Sequence, residues 1–140
     1  EHEFGHLWEY PLRSVCTIST HDMATLRGWW EEDPELTARY YNHVLGHWGE
    51  VPATAPGEVC EEIIRQHLQC PSLLAILSFQ DWLSMDEELR YPDANAERIN
   101  VPANPRHYWR YRMHLTLEEL MKSHKFNEKM RGMIDETNRY

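Results

Sequence analysis

The amino-acid sequence predicts a chain of the α/β class that is predominantly helical. A run of β-branched and small apolar residues at Ser14–Ser19 is typical of a buried strand. The polar pair His21-Asp22 follows this run, just before a helix-like pattern begins. This order is typical of a barrel strand, which presents catalytic side chains at its carboxyl end, before the next helix. A second apolar run, Leu73–Phe79, has the length of a strand, although periodicity alone does not separate it from a helix. Four or five helix-patterned segments make up most of the rest.

The first helices follow the Ser14–Ser19 run. Their patterning predicts one helix at Ala24–Glu31 and a second at Pro34–Leu45. Asp33 is a suitable N-cap for the second helix, because Pro is tolerated in the first turn and a short polar side chain can accept from its free N–H groups. Gly46 is expected to end that helix.

A third helix is predicted at Val59–Gln69, opened by Pro56-Gly57-Glu58, because its apolar residues recur at helical spacing. The Asn- and Pro-rich stretch Asp93–Pro105 is expected to be a long loop, and loops of that length are often functional. A final helix is predicted from Leu115 to about Thr137, with a break near Ser123-His124. Thr116 and Glu119 have the spacing of a capping box at its start.

Composition excludes several classes of partner. The chain has 140 residues, enough for one domain, and a formal net charge of −9, which argues against nucleic acid and anionic membranes as partners. No apolar run approaches the roughly 20 residues that cross a bilayer, and no signal peptide is visible. The three cysteines lack metal-ligand spacing. We therefore expect a reduced, cytoplasmic protein that binds no metal.

Four segments of the chain resemble the amylomaltases, or 4-α-glucanotransferases. Thr20-His21-Asp22 followed by T-L-R-G-W-W at residues 25–30 resembles the family's T-H-D segment, and a match of this length is not expected by chance. Gln80–Leu83 resembles the family's Q-D-L-L element, Arg98–Pro102 its R-M-N-x-P element, and Trp109-Arg110 its W-x-x-R region. Together these segments span most of the chain.

Two positions depart from the family pattern. Ile99 stands in place of Met, and Ala103 follows Pro102 where the family has Gly. Gly permits a positive φ and Ala resists it, so the resemblance does not carry over the conformation of this loop.

The resemblance implies a fold and an activity. It implies that residues 1–140 are the C-terminal segment of a (β/α)₈ (TIM) barrel, contributing about two parallel strands to it. It implies a transferase that moves α-1,4-glucan segments between maltodextrins by a retaining mechanism, in which one carboxylate forms a glycosyl-enzyme and a second acts as acid and base. Starch and maltodextrin are the implied substrates, and no cofactor is implied.

The resemblance also assigns site residues. Asp22 matches the third catalytic carboxylate, which accepts hydrogen bonds from hydroxyls of the distorted sugar. His21 would bind the same sugar, and Asn100 would contact the sugar chain near the cleavage point. The nucleophile and the acid/base residue find no match in this sequence, so we expect the chain alone to be inactive. Strands taken from a barrel have unpaired edges, so we also expect self-association.

Two alternative interpretations stay open at this stage. His2-Glu3-Phe4-Gly5-His6 matches H-E-x-x-H, a zinc-protease signature that requires a helix; Gly5 and the nearby Pro11 argue against one, and no third ligand is recognisable. His43 and His47 share helical spacing, but a histidine at a helix C-terminus is explained by the macrodipole. The alternative class of function is a mostly helical interaction or structural module without a catalytic role.

Overall fold

The computed structural model describes residues 2–139, and most of its regular structure is helical. Two strands, β1 and β2, and six α-helices, α1 to α6, are connected by loops and by three short helical turns of other types. In chain order the elements are a 3₁₀ turn Leu7–Glu9, β1 Val15–Cys16, α1 Leu26–Glu32, α2 Pro34–Arg39, a π-helical turn Tyr40–Val44, α3 Gly57–Gln69, β2 Leu74–Ala75, α4 Phe79–Leu83, a 3₁₀ turn Ala94–Glu97, α5 Leu117–Lys122 and α6 His124–Glu136.

The two strands form a parallel pair. Val15 lies opposite Leu74 and Cys16 opposite Ala75. The pairing extends slightly at both ends, where Leu73 N–H donates to Leu12 O at 2.8 Å and Ile76 N–H donates to Cys16 O at 2.9 Å. The predicted α/β class with a helical majority and two strands is confirmed, and the run at residues 73–79 is a strand at its start.

Both strands are shorter than predicted. The prediction of strands over Ser14–Ser19 and Leu73–Phe79 was wrong in extent, since regular pairing covers two residues of each. After β1 the Thr17 hydroxyl donates to Ser19 O at 2.8 Å and the chain turns away. After β2 the Ser78 hydroxyl accepts from Asp81 N–H, which caps α4 and places Phe79 in a helix. A local hydroxyl hydrogen bond therefore follows each strand.

Helix starts follow the predicted capping residues. The Asp33 carboxylate accepts from two N–H groups in the first turn of α2, and Thr116 and Glu119 form a reciprocal capping box at α5. The predicted break near Ser123 separates α5 from α6. Such caps contribute about 0.5–2 kcal/mol each.

Several helix bounds differ from the sequence prediction: α3 begins at Gly57 rather than Val59, and α5 begins at Leu117 rather than Leu115. α1 begins at Leu26 rather than Ala24, because Thr25 has an extended backbone and caps the helix through Gly28 N–H. The helix predicted over Pro34–Leu45 is α-helical only to Arg39 and widens to a π-helical turn before it ends. Gly46 follows with a φ of 72°, a left-handed conformation that glycine adopts without strain.

The core is built around α3, whose apolar face is buried. Val59, Ile63, Ile64 and Leu68 recur at helical spacing, and all four are buried. They lie in one apolar cluster with residues of other helices, namely Leu26, Trp30, Leu83, Phe126 and Met133. Each fully buried large apolar side chain stabilises the fold by about 1.5–3 kcal/mol.

Trp30 and Trp29 have packing roles. Trp30 is buried in the core, and its indole N–H donates to Pro52 O at 2.8 Å. Trp29 packs edge to face on Tyr40. Within residues 2–139 no helix is both long and apolar enough to cross a membrane.

The glycine that opens α3 fits against the backbone after α4. A Cβ added to Gly57 would lie 2.8 Å from Met85 O, too close for a backbone atom to tolerate. Gly132, inside α6, has nothing within 4 Å of the same position. Gly132 is therefore a suitable control for Gly57, because both are helical glycines and only Gly57 is closely packed.

We expect Gly57→Ala to lower the free energy of unfolding by about 1–3 kcal/mol, because the added methyl group must displace backbone. Gly132→Ala should raise it by about 0.5–1 kcal/mol, because alanine is the better helix former and has room. Urea denaturation followed by circular dichroism measures both. Equal effects of the two substitutions would show that the Met85 contact does not constrain the helix start.

Candidate functional site

The site lies at the carboxyl end of β1, in the loop that leads into α1. The Thr20 carbonyl accepts from Met23 N–H at 3.3 Å, and the Thr20 hydroxyl accepts from Asp22 N–H at 3.4 Å. This turn carries the side chains of His21 and Asp22 outward, where they are 54% and 55% exposed. Both side chains are thus available to a ligand.

The structure brings together all three residues that the sequence nominated. Asn100 Nδ2 donates to Asp22 Oδ1 at 2.7 Å, although the two residues are 78 positions apart in sequence. His21 Nε2 lies 3.3 Å from Asp22 Oδ2. Each carboxylate oxygen therefore has one polar side chain beside it and still has lone pairs that face solvent.

An aromatic side chain completes the cluster. The rings of Trp109 and His21 have centroids 5.2 Å apart, and Trp109 is 61% exposed. The neighbouring Arg110 guanidinium lies 5.1 Å from the centroid of the Tyr108 ring. The segment after Pro105 thus contacts the Asp22 loop at His21.

A buried ion pair holds the loop that carries Asn100. Arg27 Nη1 lies 3.2 Å from Glu97 Oε1, and both side chains are almost fully buried. Arg27 also donates to Tyr91 O at 2.6 Å and to Pro92 O at 3.2 Å. Burial raises the pKa of Glu97, and the positive charge of Arg27 opposes that shift. Arg27 thereby fastens the long loop to α1.

Closer to Asn100, the loop is held by its own side chains. Arg98 Nε donates to Asn100 O at 3.0 Å, and the His107 ring pairs with Ile99 O at 2.9 Å. Among residues 2–139 the one non-glycine residue with positive φ is Asn138, so Ala103 fits this loop without backbone strain.

Two adjacent residues of α4 support the site from beneath. Asp81 is fully buried; its Oδ2 accepts from the Ser19 hydroxyl, and its Oδ1 accepts from Leu26 N–H at 2.9 Å. The amide of Gln80 donates to Glu97 O at 3.3 Å. The carboxyl ends of the two strands therefore lie side by side, joined through α4.

Sequence reasoning assigned no role to these supporting residues. In the sequence, Gln80 and Asp81 stand out only as part of a motif, and Arg27 and Glu97 do not stand out individually. One local signal is present for Asp81: it is an aspartate three residues after Ser78, which follows an apolar run. The Arg27–Glu97 pairing spans 70 positions and leaves no local signal.

The structure does not provide the helix that the zinc-protease alternative requires. Residues 2–6 are not helical, the His2 and His6 ring centroids lie 4.0 Å apart, and Glu3 pairs with Arg39 at 2.7 Å. His47 Nε2 lies 2.6 Å from Glu62 Oε2. Across the part of the chain that the structure describes, no group of three His, Cys, Asp or Glu residues is arranged to hold a metal ion.

This arrangement suits recognition of a polyhydroxylated ligand. A half-exposed carboxylate, an imidazole and an amide at one strand end can accept from and donate to neighbouring hydroxyl groups, and an exposed indole offers an apolar face to a sugar ring. The carboxylate can also favour positive charge that develops nearby. No second carboxylate is paired with Asp22 among the described residues.

The chain is similar to proteins of one family over nearly its whole length. The family model described as 4-alpha-glucanotransferase matches residues 1–117. The 4-alpha-glucanotransferase DPE2 of Oryza sativa subsp. japonica is 38% identical over 137 residues, which cover 98% of this chain and 14% of that protein. The 4-alpha-glucanotransferase of Chlamydia pneumoniae is 30% identical over 89% of this chain and 23% of that protein.

A solved structure has a similar fold. The amylomaltase from Streptococcus agalactiae in complex with acarbose superimposes with a TM-score of 0.65 at 21% identity, over 93% of this chain and 23% of that one. The chain thus spans between about a seventh and a quarter of the length of these relatives. On the match of the family model to most of its residues, the chain belongs to the 4-alpha-glucanotransferase family.

Proposed function

We propose that residues 1–140 form the C-terminal segment of the (β/α)₈ catalytic domain of a 4-α-glucanotransferase. The observation that carries the proposal is the carboxylate of Asp22, held between Asn100 and His21 at the carboxyl end of a parallel strand. Catalytic residues of (β/α)₈ barrels are found at that end of the strands. The match to the family supports the same assignment.

The proposed reaction moves a segment of an α-1,4-glucan to another maltodextrin with retention of configuration. A carboxylate elsewhere in the whole enzyme attacks the anomeric carbon, and a second carboxyl group protonates the departing oxygen and later deprotonates the acceptor 4-hydroxyl. Asp22 would accept hydrogen bonds from hydroxyls of the distorted sugar, and these bonds strengthen as positive charge develops on the ring. His21 would bind the same sugar and Asn100 the adjoining chain.

The geometry supports distinct roles for the two neighbours of Asp22. The Asn100 amide donates to one carboxylate oxygen, which sets the rotation of the carboxylate before a sugar arrives. His21 lies beside the other oxygen and contacts Trp109, so the imidazole and the indole offer adjoining surfaces. Starch-derived maltodextrins are the proposed substrates. The free cysteines Cys16, Cys60 and Cys70 support a cytoplasmic location.

We expect the 140-residue chain alone to show no disproportionation of maltotriose, because no residue in it takes the part of the nucleophile or the acid/base. The measurement is chromatography of glucose and longer maltodextrins after incubation with the purified chain, with the complete enzyme as the positive control. Release of glucose and longer products by the chain alone would contradict this division of the catalytic groups.

In the complete enzyme, we expect Asp22→Asn to lower kcat by about 10²-fold or more while KM for maltotriose changes little, because the lost charge acts mainly in the transition state. Asp33→Asn is the matched control, since Asp33 is an exposed aspartate that caps α2 away from the site. Steady-state kinetics measures both variants. If Asp22→Asn keeps kcat within a few-fold of wild type, Asp22 is not catalytic, and the helical-module alternative gains support.

We further propose that the separate 140-residue chain self-associates through its sheet. Val15, Leu73, Leu74 and Ile76 lie on or beside the two strands, and each is more than half exposed. Two short strands with apolar exposed side chains and unpaired edges favour pairing with a second copy.

We expect sedimentation velocity to find the separate chain as a dimer or larger species with predominantly helical circular dichroism. Leu74→Lys, which places a charge on the strand, should shift the distribution toward monomer. Leu117→Lys is a matched control on α5, at a side chain that is also exposed and apolar. A monodisperse monomer at all concentrations would rule out self-association.

A further inference from the structure

A buried carboxylate touches both ends of the loop that carries Asp22. Asp81 lies in α4, the next helix after β2, and is fully buried. Its Oδ2 accepts from the hydroxyl of Ser19, three residues after the end of β1. Its Oδ1 accepts from the N–H of Leu26, the first residue of α1, at 2.9 Å. His21 and Asp22 lie on the short stretch of chain between these two attachment points.

The position of Asp81 is itself fixed by local hydrogen bonds. Its N–H donates to the Ser78 hydroxyl at 3.1 Å, and its carbonyl accepts from the Ser84 hydroxyl and from Ser84 N–H. The Ser78 hydroxyl also lies 3.4 Å from that of Ser19. The carboxylate is therefore presented from a short, doubly capped helix rather than from a mobile side chain on the surface.

The chemistry of this contact favours a rigid loop. A buried carboxylate without partners is costly, and hydrogen bonds to a charged acceptor are stronger than neutral ones. Leu26 N–H is one of the groups that an α-helix leaves unsatisfied at its start, where negative charge is also favoured. Separating the loop from Asp81 would leave a buried charge and a buried N–H unpaired, so the attached arrangement is strongly preferred.

We propose that Asp81 is a positioning residue for the transfer reaction, acting by holding Asp22 in place through Ser19 and Leu26. This inference rests on the proposed function, which makes Asp22 the residue that contacts the sugar. Asp81 is buried beneath the loop and touches no ligand itself. A displacement of about 1 Å at a catalytic group can cost 10²-fold in rate, so the attachment is expected to matter for kcat more than for binding.

The test uses the complete enzyme with maltotriose as substrate. Asp81→Ala removes both acceptors and should lower kcat by about 10²-fold, with a much smaller change in KM. Asp81→Asn is the conservative variant: its carbonyl oxygen can accept from Leu26 N–H while its NH₂ group donates to Ser19 Oγ, so it should recover most of the lost kcat. Rates are normalised to the folded fraction from thermal denaturation.

Asp86→Ala is the matched control. The Asp86 carboxylate accepts from Glu88 N–H at 3.0 Å and from Leu89 N–H at 3.1 Å. It therefore accepts two hydrogen bonds, as the Asp81 carboxylate does, but its partners are neighbours in sequence and do not belong to the Asp22 loop. Its kcat should stay near that of wild type. If Asp81→Ala does not fold, Ser19→Ala takes its place, because it removes one attachment and leaves the bond to Leu26.

A double-mutant cycle separates positioning from general stability. If Asp81 acts through Asp22, adding Asp81→Ala to the Asp22→Asn enzyme should cost much less in kcat than it costs in wild type. The same factor lost in both backgrounds, or a normalised kcat for Asp81→Ala equal to wild type, would overturn the positioning role while leaving the function of Asp22 intact. An Asp22→Asn enzyme with near wild-type kcat would instead overturn the proposed function, and the positioning role with it.

Discussion

The buried carboxylate of Asp81 connects two parts of the chain on which the site depends. It lies where the carboxyl ends of β1 and β2 meet and accepts from Ser19 on one side of the Asp22 loop and from Leu26 on the other. Removing a carboxylate from water costs several kcal/mol unless well-placed donors replace the lost solvent. The strand ends therefore adopt an arrangement in which those donors converge, and the position of the loop follows from that requirement.

A buried ion pair attaches the loop that carries Asn100 in a similar way. Arg27 extends from α1 to Glu97 and to the carbonyls of the long loop that carries Asn100. Both faces of the cluster are thus attached to the first turn of α1. The exposed carboxylate of Asp22 accepts from the Asn100 amide at 2.7 Å. The loop of each residue is attached to α1 through buried polar contacts. Preorganised polar groups need little rearrangement when charge develops on a substrate.

Local features of the fold were predictable because their causes are local. A helix N-cap requires a short polar side chain next to free N–H groups, and the sequence identified Asp33 and the Thr116–Glu119 capping box correctly. The strand lengths were not predictable. β1 regularly pairs over Val15–Cys16 only, because pairing depends on where a distant partner runs and where the Thr17 hydroxyl turns the chain. An apolar run alone does not specify pairing.

The sequence by itself determined the helical majority, the caps and, through a family resemblance, the three residues His21, Asp22 and Asn100 of the candidate site. It could do so because each of those features depends on residues that are close together in the sequence. The tertiary structure alone decided that Asn100 meets Asp22 and that Asp81 holds the loop. These contacts join residues more than 50 positions apart, and burial and hydrogen-bond geometry at such separations arise only when the chain has packed.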